Sequence, residues 1–134
     1  MRRESTAAYR DAMRFEVTHS DTATELGSGD LPVLATPRLI AWMEAETVRC
    51  ARPLLGPGET TVGTSIRITH RRPTAVGDSV EVSGEPPSTN GRVLTFRVRA
   101  VDDSGTVLAS GEIDRAIVDR ERFLDTVMPG STRP

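Results

Sequence analysis

The chain has 134 residues, a formal net charge of -2, one cysteine and 4% aromatic residues. This length fits one domain with a core of its own. The composition excludes an internal disulfide and a cysteine-based zinc cluster, gives no electrostatic argument for nucleic acid, and argues against an aromatic platform for bases. All 17 basic residues are arginine, so Schiff-base chemistry on a lysine amine is excluded too.

Residues 1–12 are polar and are expected to be loosely held. The segment Met13 to Thr18 alternates apolar and polar residues, which predicts a half-buried strand. Residues 19–34 contain Gly27, Gly29, Asp30 and Pro32 and read as a loop. The clearest helix follows, with Thr36 as N-cap and Pro37 as its first helical residue. Ile40, Met43, Thr47 and Ala51 recur at helical spacing, and Pro53 with Gly56-Pro57-Gly58 ends the run.

From Thr60 the period becomes two. Val62, Thr64, Ile66, Ile68 and His70 share one face of a strand. Gly77-Asp78 marks a turn before a strand over Ser79 to Ser83, with Val80 and Val82 inward. Asn90-Gly91 signals a hairpin. Leu94, Phe96, Val98 and Ala100 form the inward face of the next strand. The last strand runs from about Thr106 to Val118, with Val107, Ala109, Ile113 and Ile117 on one face. A short helix from Asp119 to Met128 closes the domain, taken as 13–128, before a flexible tail from residue 129. One long helix and about five strands joined by tight turns predict an α+β architecture with a curved antiparallel sheet. Such a sheet has free edges that dimerisation commonly covers.

Three residues sit awkwardly for a plain core. Glu44 has Ile40, Ala41, Thr47 and Val48 three and four positions away, where a carboxylate is costly unless it is hydrogen-bonded or protonated. Glu46, by contrast, reads as a solvated pair with Arg49. His70 continues the inward parity of its strand. Arg115 shares parity with Ile113 and Ile117, and an arginine there needs an anionic or carbonyl partner. His19 and Cys50 read as ordinary structural residues. Thr36 reads first as a cap, although a hydroxyl at a helix N-terminus also lies where an oxyanion is favoured.

Leu34-Ala35-Thr36-Pro37-Arg38-Leu39-Ile40-Ala41-Trp42-Met43-Glu44-Ala45 resembles the central-helix segment of hotdog-fold thioesterases, and of the fluoroacetyl-CoA thioesterase family in particular. The likeness continues through Pro57-Gly58-Glu59, Val62-Gly63-Thr64, Thr69-His70, Pro73-Thr74-x-x-Gly77-Asp78, Ser110-Gly111 and Asp114-Arg115-Ala116, spanning roughly residues 33 to 123. The resemblance implies a hotdog fold, hydrolysis of an acyl-CoA or carrier-protein acyl thioester, and a homodimer with its site at or near the subunit interface. It also implies a catalytic set of Thr36, Glu44 and His70, with Gly63 and Arg115 contacting substrate. His70 would act as general base, and imidazole titrates in the range that suits this task. Glu44 would either orient His70 or attack the carbonyl to give a short-lived anhydride, and Thr36 would hydrogen-bond Glu44 or the substrate.

One feature departs from the family. The fluoroacetyl-CoA enzyme carries an aromatic lid just before the helix, whereas residues 20–34 here contain no aromatic, with Asp30 and Leu31 in that region. A broader or different acyl group is therefore expected. No cofactor, metal, nucleic acid or membrane is expected as a partner. With no signal-like N-terminal stretch and no apolar run long enough for a bilayer, the expected location is cytoplasmic. Competing expectations are a non-catalytic hotdog module that binds acyl-CoA or an acyl chain, and a hotdog hydratase or dehydratase.

Overall fold

A computed structural model describes residues 12–130. The loose N-terminal stretch and the flexible tail expected from the sequence fall almost wholly outside the described residues. No helix among the described residues is long and apolar enough to cross a membrane.

Strand β1 covers Met13–Glu16, β2 Glu59–His70, β3 Ser79–Gly84, β4 Ser88–Asn90, β5 Val93–Val101 and β6 Val107–Asp119. Helix α1 is a single turn over Ala23–Leu26, α2 runs Thr36–Ala51, and α3 runs Arg120–Val127. All strand pairs are antiparallel, in the order β1-β3-β5-β6-β2, with the short β4 pairing β5. The five strands of that path are the five expected, and the three-residue β4 beside them escapes a periodicity reading because it is too short to show one.

Helix α2 lies across the inner face of this sheet. Leu39, Met43 and Ala51 from the helix are fully buried with Val80, Val82, Phe96, Ala100, Ala109 and Ile113 from the strands. Val80 and Val82 of β3, and Leu94, Phe96, Val98 and Ala100 of β5, point inward as their alternation predicts. Phe15 of β1 stacks on Trp42 of α2, with centroids 4.5 Å apart and planes 4° from parallel. Asn90-Gly91 forms the β4–β5 hairpin, where Gly91 takes a φ of +63°.

Two β-bulges change the faces that simple alternation assigns. In β2 the register shifts between Gly63 and Ser65, so Thr64 is the extra residue. Gly63 and Thr61 pair with Arg115 and Ile117, while Ile66 and His70 pair with Ile113 and Ala109. These residues therefore share the inner face, and Val62, opposite Ala116, turns outward. In β6 the register steps from Ala100–Ala109 to Val101–Val107, so Leu108 is extra. Leu108 takes the buried place expected for Val107. A bulge adds one residue to one strand only, so it is set by pairing and not by the strand's own pattern.

The stretch 19–34 is more ordered than a loop. A 3-10 turn spans His19–Asp21, and α1 follows with Thr22 accepting a hydrogen bond from the Glu25 amide. Glu46 is also corrected. It is fully buried, not solvated, with Oε1 2.7 Å from the Arg49 guanidinium and Oε2 accepting from the Cys50 thiol at 3.4 Å.

Candidate active site

The start of α2 is placed by the extended stretch before it. The Leu34 amide donates to the Thr74 carbonyl and the Ala35 amide to the Asp21 carbonyl, each at 2.9 Å. Asp21 in turn accepts from the Thr18 amide and hydroxyl, and forms an ion pair with Arg38 at 3.0 Å. These contacts tie the 3-10 turn to the first turn of α2. The N-cap is Ala35, with no side-chain cap, and Thr36 is the first helical residue. The capping role expected for Thr36 is therefore not its role. Its hydroxyl lies instead 2.7 Å from Nδ1 of His70, at the end of β2. Nε2 of His70 is buried and has no hydrogen-bond partner among the described residues. A cleft of about 340 Å³ opens here, with Ala23, Leu31, Val33, Leu34, Thr36 and His70 in its wall.

A second group gathers further along the helix. Glu44 Oε2 lies 3.4 Å from Nη1 of Arg115. Arg115 is 7% exposed, and it also donates to the Thr61 hydroxyl at 2.8 Å and the Thr61 carbonyl at 3.2 Å. Burial lowers the pKa of its guanidinium, and the Glu44 carboxylate opposes that shift. Gly63 lies against both side chains. A Cβ there would be 2.5 Å from Glu44 Oε2 and 3.3 Å from Arg115 Nη1. The side chain of Glu44 is 37% exposed, so this group opens to solvent.

All five residues singled out in the sequence thus fall into two groups, Thr36 with His70 and Glu44 with Gly63 and Arg115. Among the described residues no hydrogen bond or ion pair joins one group to the other. Eight helical residues separate Thr36 from Glu44, about 12 Å along the axis. Thr61 was not singled out; the signal that could have found it is its place two residues before Gly63, which the bulge brings onto the face of Arg115. Among the described residues no cluster of three or more His, Cys, Asp or Glu side chains is placed to hold a metal ion.

Comparison with known proteins identifies the family. The fluoroacetyl-CoA-specific thioesterase family model (FlK) matches residues 17–121. The fluoroacetyl-CoA thioesterase of Streptantibioticus cattleyicolor is 40% identical over 91 residues, which cover 68% of this chain and 65% of that protein. The matched part therefore spans less than two thirds of that relative's length. A solved fluoroacetyl-CoA thioesterase structure superposes with a TM-score of 0.80 at 33% identity, covering 90% of this chain and 93% of the other. A thioesterase superfamily member from Thermus thermophilus shares the fold at a TM-score of 0.80 and 23% identity, over 87% of this chain and 85% of the other. The architecture of one long helix against a curled antiparallel sheet is the hotdog fold, and the chain belongs to the fluoroacetyl-CoA-specific thioesterase family of thioester hydrolases.

Proposed function

We propose that this protein hydrolyses acyl-CoA thioesters to the free acid and coenzyme A, with His70 as general base and Thr36 and Glu44 as its partners. The observation that carries this reading is the 2.7 Å contact between Thr36 Oγ1 and His70 Nδ1, which leaves Nε2 without a partner beside a cleft. A base role requires the tautomer in which Nδ1–H donates to the threonine oxygen and Nε2 carries the lone pair. Nε2 then takes a proton from water as the water oxygen adds to the thioester carbonyl. The tetrahedral intermediate collapses, the C–S bond breaks, and the thiolate leaves and takes up a proton. The first turn of α2 and the exposed backbone at Gly63 supply amides for the developing oxyanion.

Glu44 acts at the carbonyl, by orienting the water or by adding as a carboxylate to form an anhydride. Label in the Glu44 carboxylate after a single turnover in ¹⁸O-labelled water would establish the anhydride route with water adding at the Glu44 carbonyl. Arg115 holds Glu44 in place and reaches toward the acyl group. Because no aromatic stands in the cleft wall before α2, the acyl group is broader than, or different from, fluoroacetyl.

The reading includes a homodimer. Strand β2 is an edge of the sheet, twelve residues long, and Ile66 on its inner face is 39% exposed. An edge of this length invites pairing with a second copy. Pairing along β2 would bring the Glu44 group of one chain toward the Thr36–His70 group of the other and complete the site. A monomer with full activity in light scattering and assay would rule this out. The lone cysteine fits a cytoplasmic setting.

The test is release of free thiol and acid across short, branched and aromatic acyl-CoAs and an acyl carrier protein. Binding without release would favour a non-catalytic acyl-binding module, and loss of double-bond absorbance without thiol release a hydratase. His70→Ala is expected to lose at least ~100-fold in turnover.

A further inference from the structure

The outer face of the sheet carries a feature that the hydrolytic chemistry does not use. A trough of about 470 Å³ crosses β5, β6 and β2, lined by Arg67, Arg71, Arg97, Arg99, Ser110 and Glu112. Four arginines and one glutamate share this hollow in a chain whose net charge is -2. The local excess of positive charge is therefore built, not a reflection of overall composition.

The register explains how it forms. Arg97, Glu112 and Arg67 are direct cross-strand partners on three adjacent strands, and Arg99 and Ser110 are partners in the next row. Arg67 is held at 3.0 Å by both Glu112 and Asp114. Arg97 reaches Glu112 only at 3.9 Å, and its side chain is 68% exposed. Arg71 is exposed and has no ion pair among the described residues. Arg71 also lines the cleft at His70, so the trough and the cleft meet at the end of β2. From Arg71 back to Arg67 the strand runs about 13 Å.

We infer that this trough holds the phosphate-bearing nucleotide end of coenzyme A while the thioester lies in the cleft at His70. The inference rests on the acyl-CoA reading above and adds where the carrier is gripped. A guanidinium is suited to phosphate because its planar fork donates two parallel hydrogen bonds. A hollow of this size fits a nucleotide and its phosphates, whereas docking of an acidic carrier protein needs a broad interface. Arg71 is the hinge of the arrangement: it follows His70 directly and faces both the cleft and the trough.

The experiment compares wild type with the Arg97→Ala/Arg99→Ala double variant, two positions that line the trough and not the cleft, on two thioesters of one acyl group, carried by coenzyme A or by N-acetylcysteamine, which lacks the nucleotide and all phosphates. The expected result is a fall in kcat/KM on the acyl-CoA of about tenfold to a hundredfold, the loss of charge-assisted hydrogen bonds, with the N-acetylcysteamine thioester unchanged within about twofold. Added salt should raise KM for acyl-CoA in wild type and much less in the variant. Titration with adenosine 3',5'-bisphosphate tests the grip without catalysis: wild type should bind it and the variant should not. Binding of that nucleotide by a protein with no thioesterase activity would support the trough and defeat the hydrolytic reading. Equal losses on both thioesters, no loss on either, or loss confined to an acyl carrier protein would overturn the inference.

Discussion

Replacing Gly63 with alanine probes the contact between β2 and Glu44 directly. The new Cβ would lie 2.5 Å from Glu44 Oε2, where ordinary contact begins at 3.4 Å, so the carboxylate must retreat by about 0.9 Å. It can do so without moving the backbone, because it is the end of a flexible side chain that is 37% exposed. The backbone also accepts alanine, since Gly63 does not have a positive φ. The substitution stiffens the unfolded chain, a gain of about 0.4–1 kcal/mol. It weakens an ion pair with one partner more than a third exposed, and after solvent screening that loss is at most about 1 kcal/mol. The two effects oppose each other, so the unfolding free energy should stay within about 1 kcal/mol of wild type. Activity should respond differently. A catalytic group displaced by about 1 Å costs on the order of 100-fold. The assay pairs thiol release at saturating acyl-CoA with urea unfolding followed by circular dichroism. Near-normal turnover in Gly63→Ala would show that the position of Glu44 against β2 is not required. A stability loss above about 2 kcal/mol would show that the clash is not relieved by the side chain.

Other substitutions separate structural from chemical roles. Thr36→Ala should leave the urea midpoint nearly unchanged, because a lost N-cap would cost about 1 kcal/mol and Ala35 occupies the cap; its turnover should fall, while Thr36→Ser, which keeps the hydroxyl for His70, should retain most of it. Glu44→Gln and Glu46→Gln should behave oppositely: the first loses activity with little change in stability, and the second loses about 1–3 kcal/mol of stability by weakening a charge-assisted bond in a fully buried position, with turnover kept. Asp114 is held below the usual carboxylate range by its hydrogen bonds to Arg67 and then Thr95. Its contribution is present above about pH 4 and is lost as pH falls through its depressed folded value. The drop in urea midpoint between pH 5 and pH 3 should therefore be smaller in Asp114→Asn than in wild type.

The acid-side behaviour and the arginine trough share a cause. In the middle of β2, β5 and β6 the outward residues Arg67, Thr95, Arg97, Arg99, Ser110, Glu112 and Asp114 are charged or polar, and antiparallel pairing sets them side by side. Neither the Arg67–Asp114 contact nor the meeting of trough and cleft at Arg71 is visible along the chain, because the partners lie on different strands.

Much was nonetheless legible from sequence. The alternation of Leu94, Phe96, Val98 and Ala100 and the spacing of Met43, Thr47 and Ala51 fix burial locally, because period two and period 3.6 are properties of one segment. Arg115 was visible as a charge on an apolar face, and burial at 7% bears that out. Glu44 and Glu46 show where such reasoning stops. Both lie on the helix near apolar neighbours, yet the open carboxylate is the one beside Gly63 and the sealed one is the one expected in water. Which of two helix faces is covered depends on the sheet that packs there. The cap at Ala35 was decided by hydrogen bonds to Asp21 and Thr74, far from the helix itself. Thr64 and Leu108 could not be recognised as bulges, since an extra residue is defined only against a partner strand. By itself the sequence determined the long helix, the five longer strands and the inward faces away from the bulges, and it singled out five candidate residues. The tertiary structure decided that they form two groups and not one, because the separation of Thr36–His70 from Glu44–Gly63–Arg115 is set by how α2 lies along β2.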